Sequence, residues 1–147
     1  MINLPLDGSV WRNVDSALRS VDRLYNTPFE SLDLNVIQAY ILRALYEQDG
    51  QRPSDLAQIV GRPPTSFTPI LDKLEEKGLI HRSPHPSDRR SIRIYLTASG
   101  LKLREPILTG FQEADQTIQQ QVEADDLSQF LSILHSLQSI RSDGAGH

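Results

Sequence analysis

Residues 54–96 read SDLAQIVGRPPTSFTPILDKLEEKGLIHRSPHPSDRRSIRIYL, and the fold turns on how this stretch is organised. From about Pro64 to Lys77 the apolar residues Phe67, Ile70, Leu71 and Leu74 recur at i, i+3, i+4 and i+7. That spacing predicts a helix with one buried face. Lys77-Gly78 ends it, because glycine takes the left-handed conformation that closes helices. Upstream, Pro53 suits a first helical position and Ser54 to Val60 a short helix, with Gly61 as the turn between the two. Downstream, Leu79 to Arg82 and the alternating Ser91 to Leu96 predict two strands. The loop between them, Pro84 to Arg90, is rich in turn residues and holds two adjacent arginines. Helix, turn, helix and ribbon together make a winged helix.

The exposed side of the second helix carries Thr65, Ser66, Thr68, Asp72 and Lys73. Short hydroxyls near the start of an exposed helix suit the floor of a DNA major groove, where they can bond base edges or phosphates. Free N–H groups of a first helical turn favour a nearby phosphate. Arg62, in the turn, is within reach of one. An arginine on a wing tip can enter a narrow A·T minor groove. The bland reading of Arg89 and Arg90 is a solvated charged hairpin. Pro63 and Pro69 disturb this helix. If it starts at Pro64, Pro69 clashes with the carbonyl of Thr65 and a kink is expected; a start near Ser66 would remove the clash.

Charge is unevenly spread over the 147 residues, whose formal net charge is −4. Residues 61–96 hold seven Lys/Arg against four Asp/Glu; the remainder holds eight against fifteen. Affinity for a polyanion is thereby concentrated on one segment and opposed elsewhere. Cysteine is absent, so neither a disulfide framework nor a thiol sensor is available. No signal peptide or bilayer-spanning run is read, so a cytoplasmic protein without a membrane partner is expected.

Three short motifs give the stretch a family likeness. They are Leu74-Glu75-Glu76-Lys77-Gly78-Leu79-Ile80, then Asp88-Arg89-Arg90, then Leu96-Thr97-Ala98-Ser99-Gly100. In order and spacing the chain resembles the MarR family of bacterial transcription regulators over about Asn35 to Gly100. The resemblance implies a homodimer on a pseudo-palindromic operator of double-stranded DNA, most often as an effector-responsive repressor. It also implies that Arg90 enters the groove, that Asp88 pairs with it to shape the loop, and that Arg89 and Arg93 face phosphates. Pro69 departs from the family, which often carries an arginine or another polar residue there. The major groove is then expected to be read mainly by Thr65, Ser66 and Thr68.

Outside this segment the chain reads as helices. Ser9 to Asn26 has an apolar stripe that includes Val10, Trp11, Val14 and Leu18, and Thr27-Pro28 stops it. Asn35 and Gln38 look like a capping box for a helix over Val36 to Gln48. Thr97 can cap a long helix from Ala98 to about Glu123, bent near Pro106 and Gly110. Asp125 or Asp126 caps a last helix to about Ile140, striped by Leu127, Phe130, Leu131, Leu134 and Leu137. The fold class is mainly α with a small β-wing, and the winged helix-turn-helix is flanked by terminal helices. Four parts are expected: an arm and dimerisation helix over 1–34, the DNA-binding domain over 35–100, dimerisation helices over 101–141, and a disordered tail over 142–147.

By the resemblance the terminal helices of two chains interlock, with Val10, Val14, Phe130, Leu134 and Leu137 in the interface. The alternative is that they fold back on their own chain. Family members often bind small aromatic or phenolic effectors, and Trp11, Tyr40, Arg43 and Phe111 are candidates to line such a site. Aromatic residues on these helices serve equally as core. The four histidines show no metal-ligand spacing, and no nucleophile–base pair or phosphate loop is present. Neither a metal, a cofactor nor catalysis is expected. A rival reading is a winged-helix module that contacts protein instead of DNA.

Overall fold

The computed structural model describes residues 8–140. The expected loose arm over the first seven residues lies outside them, as does the tail from Ser142. The elements are α1 (Val10–Asn26), a 3₁₀ turn (Thr27–Leu32), α2 (Val36–Glu47), α3 (Pro53–Val60), α4 (Pro64–Glu76), β1 (Ile80–His85), β2 (Asp88–Leu96), α5 (Ala98–Lys102), α6 (Arg104–Gln121) and α7 (Ala124–Gln138). The chain divides after Phe111 into two compact units.

In the first unit the core is built from the stripes that the periodicity picks out. Ile41, Leu42 and Leu45 of α2, Leu56 of α3, Phe67, Leu71 and Leu74 of α4, and Ile80 and Ile94 of the ribbon are almost wholly buried. Phe29, from the 3₁₀ turn, joins them. Local signals hold the ends. Asn35 Oδ1 accepts the Gln38 N–H at 2.9 Å and Gln38 Oε1 accepts the Asn35 N–H at 3.0 Å, a complete capping box. Ser9 caps α1, and Thr97 Oγ1 accepts the Gly100 N–H at 3.1 Å to start α5.

The helix expected over Ala98 to Glu123 is two helices, and the break comes at Leu103, ahead of the expected bend. Pro106 accounts for it. Its ring clashes with the carbonyl four residues back, on Lys102, and α5 stops there. Pro106 then falls in the first turn of α6, where a missing N–H costs no helical bond. Helix α6 runs unbroken through Gly110. A Cβ there would lie 2.6 Å from Phe29 Cε1, so glycine lets the helix seat against that ring.

The ribbon also departs from expectation, because both strands reach further into the wing. They pair antiparallel from Ile80↔Leu96 to Pro84↔Ile92, and His85 pairs with Asp88 across the two-residue turn Pro86-Ser87. Arg89, Arg90 and Ser91 have no counterpart between Pro84 and His85, so they form a bulge. Proline at position 84 suits such a place, since it has no N–H for the ladder. Gln51 adds a one-residue third strand: the Ile94 N–H donates to its carbonyl at 2.8 Å. At the root, the Tyr46 hydroxyl donates to the Gly100 carbonyl at 2.6 Å, and burial pushes this phenol up to about 12.

Candidate nucleic-acid interface

Helix α4 is anchored by its core face and leaves the opposite side open. Thr65, Ser66, Thr68, Asp72 and Lys73 are all exposed, as is Arg62 in the preceding turn. The helix starts at Pro64 and runs unbroken through Pro69, so the later start near Ser66 is not adopted. Pro69 has no N–H to give the Thr65 carbonyl. That carbonyl lies on the exposed stripe, where water can reach it.

Two expectations about this helix change in the structure. Pro63 as N-cap and Pro64 as first residue have no N–H, and the Ser66 N–H donates to the Pro63 carbonyl at 3.1 Å. The first turn is therefore a poor phosphate cradle. The hydroxyls are also turned inward: Ser66 Oγ donates to the Pro63 carbonyl at 3.1 Å and Thr68 Oγ1 to the Pro64 carbonyl at 3.4 Å. Such back-bonding is common for Ser and Thr in helices. The Thr65 hydroxyl makes no such bond.

Arg82, in β1, ties α4 to the wing. Its guanidinium meets Asp72 at 2.8 Å and Glu75 at 3.3 Å, and its N–H donates to Glu75 Oε2 at 3.0 Å. Two of the acids on α4 are thereby neutralised from within. Lys77 is likewise engaged, with the carbonyl and carboxylate of Asp33. The charge surplus of the segment overstates its free cations, because hydrogen bonding between elements is invisible in a count.

On the wing, Arg89 and Arg90 are exposed and, among the described residues, have no ion-pair partner. Asp88 Oδ1 accepts the backbone N–H of Arg90 at 3.1 Å. It shapes the loop as expected, but through the backbone, and the guanidinium stays unpaired. The His85 Nδ1 accepts the Ser87 N–H at 3.1 Å and closes the tip. Arg93 differs from the expectation of a phosphate contact. Its Nε donates to Ser91 Oγ at 3.0 Å and its Nη1 to the Gly50 carbonyl at 3.3 Å, so it braces the base of the wing. Arg82 carries no weight in a motif reading, yet the alternation of β1 and the acids at i and i+3 of α4 were its signal.

Residues 34–92 match the model of the MarR family. The HTH-type transcriptional regulator YhbI of Bacillus subtilis is 30% identical over 109 residues, covering 74% of this chain and 70% of its own. The multiple antibiotic resistance protein MarR of Escherichia coli is 28% identical over 109 residues, 73% of this chain and 75% of its own. The S. aureus MepR–DNA complex superposes with a TM-score of 0.79 at 28% identity, over 89% of this chain and 97% of that one. The chain belongs to the MarR family. It is a winged-helix transcription regulator, and the reading as a protein-contacting module falls away.

The remaining candidates of this MarR-family chain divide into two groups. Tyr40, Arg43 and Phe111 come together: the two rings meet edge to face at 4.8 Å, and the Arg43 guanidinium lies 5.0 Å from the Phe111 centroid and 5.8 Å from that of Tyr40. Phe111 is buried, whereas Tyr40 and Arg43 line an open cleft of about 420 Å³ with Ala44, Glu47, Gln48, Gln51 and Ile59. Trp11 is 76% exposed and not among the lining residues. Val10, Val14, Phe130 and Leu137 are exposed and Leu134 half-buried, and neither α1 nor α7 has a fully buried residue. Among the described residues, no helix is long and apolar enough to cross a membrane.

Proposed function

We propose that this regulator binds a pseudo-palindromic operator as a homodimer, acting in the cytoplasm as an effector-responsive repressor. The observation that carries the reading is the pair Arg89 and Arg90, unpaired on a bulged wing tip beside a helix whose outer face is free. Helix α4 enters the major groove and lays Thr65, Ser66 and Thr68 on it. Arg90 enters the minor groove, Arg89, Arg62 and Lys73 meet phosphates, and Asp88 holds the tip. Arg93 reaches a phosphate only by leaving Gly50, so its part is chiefly to brace. Residues 35–100 bind the DNA, and 1–34 with 101–141 join the two chains. The exposed apolar stripes of α1 and α7 support that assembly, since contiguous apolar faces mark interaction sites. A dimer also supplies the two half-sites that a single winged helix lacks.

The test is selection of bound sequences from a random duplex pool, followed by affinity against salt. A regulator should enrich an inverted repeat, and log K should fall with log salt by about 0.9 per phosphate neutralised. Binding without sequence preference would reject the reading. The Arg43 cleft supports a small aromatic or phenolic effector, whose ring would face Tyr40 and whose acidic group would meet the guanidinium. By preferring one spacing of the two α4 helices, it would release the operator. Phenolic acids should displace DNA from the wild type and not from Arg43→Ala.

A further inference from the structure

Thr65, Pro69 and Asp72 follow one another at i, i+4 and i+7 along α4, directly opposite the buried Phe67, Leu71 and Leu74. The first two turns, 64–70, contain no Arg, Lys, Asn or Gln. Nothing there can make the two-pronged hydrogen bonds by which guanine and adenine are read in the major groove. The protons of the Ser66 and Thr68 hydroxyls go to the Pro63 and Pro64 carbonyls. Those same two prolines remove backbone donors from the helix start. Apart from the Thr65 hydroxyl, which makes no such bond, what the first two turns expose is largely carbon: the ring of Pro69 and the threonine methyls.

Only one group on the major-groove edges of ordinary DNA is matched by carbon, the C5 methyl of thymine. We propose that α4 recognises thymine methyls through the Pro69 ring, flanked by Thr65 and Thr68, so that Pro69 is a specificity-determining residue for thymine-bearing half-sites. The inference rests on the DNA-binding reading above and names what that helix selects. Proline is the poorest residue for a helix interior, yet this one sits unbroken in the middle of the outer stripe. Its ring has no rotamer freedom to lose on contact, which favours a small carbon surface over a flexible chain.

The test uses the full chain and the sequence enriched from a random pool. Thymines are replaced one at a time by deoxyuridine, which lacks only the methyl, and Kd is measured at fixed salt. Each contacted methyl should cost about fourfold in affinity, the worth of one buried carbon. Thymines under the wing should be indifferent, since their methyls lie in the other groove. Pro69→Ala then closes a thermodynamic cycle. Alanine is the better helix residue, so the variant should melt no lower than the wild type. It should bind the thymine duplex more weakly and show a smaller deoxyuridine penalty at one position of each half-site. Equal penalties in both proteins at every position, or no penalty in the wild type, overturn the inference and leave the regulator reading standing. A pool that enriches nothing overturns both.

Discussion

Helix α4 and the wing tip lie in one winged helix and are chemically opposite. On α4 four polar side chains are satisfied internally: Ser66 and Thr68 bond backbone carbonyls, and Asp72 and Glu75 hold Arg82, which leaves the Thr65 hydroxyl and the Lys73 ammonium. On the wing, Asp88 and His85 use their acceptors to fix the backbone, and the guanidinium groups of Arg89 and Arg90 are left over. A hydroxyl that already donates must break that bond to donate to a base, which cancels most of the gain, and otherwise can only accept. A free guanidinium gains a charge-assisted contact without such a loss. On the proposed reading the wing is the seat of affinity, and the helix contributes shape and carbon contact.

The largest effect should come from removing the second copy of both regions. Leu134→Asp places a charge in the proposed α7 interface. The wild type should sediment at twice the chain mass and the variant as a monomer or unfolded chain. Operator affinity should fall about 10²-fold or more, the scale on which linked sites reinforce one another. A monomeric wild type that binds its operator tightly would remove the dimer, and with it the idea of paired helices and wings.

Next in size is the wing itself. Arg90→Ala should weaken operator binding by about 1–3 kcal/mol with fold and dimer intact. Arg89→Ala should weaken specific and random duplexes alike and flatten the salt slope by about one phosphate. If Arg90→Ala leaves affinity unchanged at moderate salt, the comparison is inverted and the helix must hold the affinity.

Elements defined by periodicity were legible in the sequence, and so were most caps; the last helix is the exception, since its N-cap is Glu123 and Asp125 and Asp126 lie inside its first turn. The core stripe of α4, the Asn35–Gln38 box and the Thr97 cap depend on residues three or four apart. What escaped depends on contacts between distant positions. Arg93 looked like a phosphate contact because its bond to Gly50 crosses 43 positions. The part of Gly110 in seating α6 escaped because Phe29 is remote in sequence. The wing arginines were identified from their motif, but not the bulge that carries them, since register is a property of two strands together. The hydroxyl rotamers of Ser66 and Thr68 are equally beyond a pattern, as the same residues could donate outward.

A smaller effect tests the clamp between the two regions. Arg82→Met keeps an unbranched apolar stem, removes the charge, and frees Asp72 and Glu75 beside the groove. Both acids are partly exposed, so folding stability should change by no more than about 1 kcal/mol. DNA binding should weaken on specific and random duplexes together, because two carboxylates then oppose the phosphates. Restored binding in Arg82→Met with Asp72→Asn and Glu75→Gln would show the loss to be electrostatic. A loss confined to the operator would instead mean that Arg82 sets the angle of α4.

The smallest expected effect concerns the hydroxyls. Ser66→Ala removes a group whose proton goes to the Pro63 carbonyl. That carbonyl also accepts the N–H groups of Ser66 and Phe67, so it is not orphaned by the change. The variant should keep its discrimination between operator and random duplex to within about 0.5 kcal/mol, the usual scale for exposed sites away from special features. Thr68→Ser retains the bond to Pro64 and deletes a methyl, so it should lose more discrimination than Ser66→Ala despite keeping its hydroxyl. The opposite order would mean that the hydroxyls swing out and read bases directly. The quiet helix would then be a property of the free protein alone, and the contrast with the wing would vanish on binding.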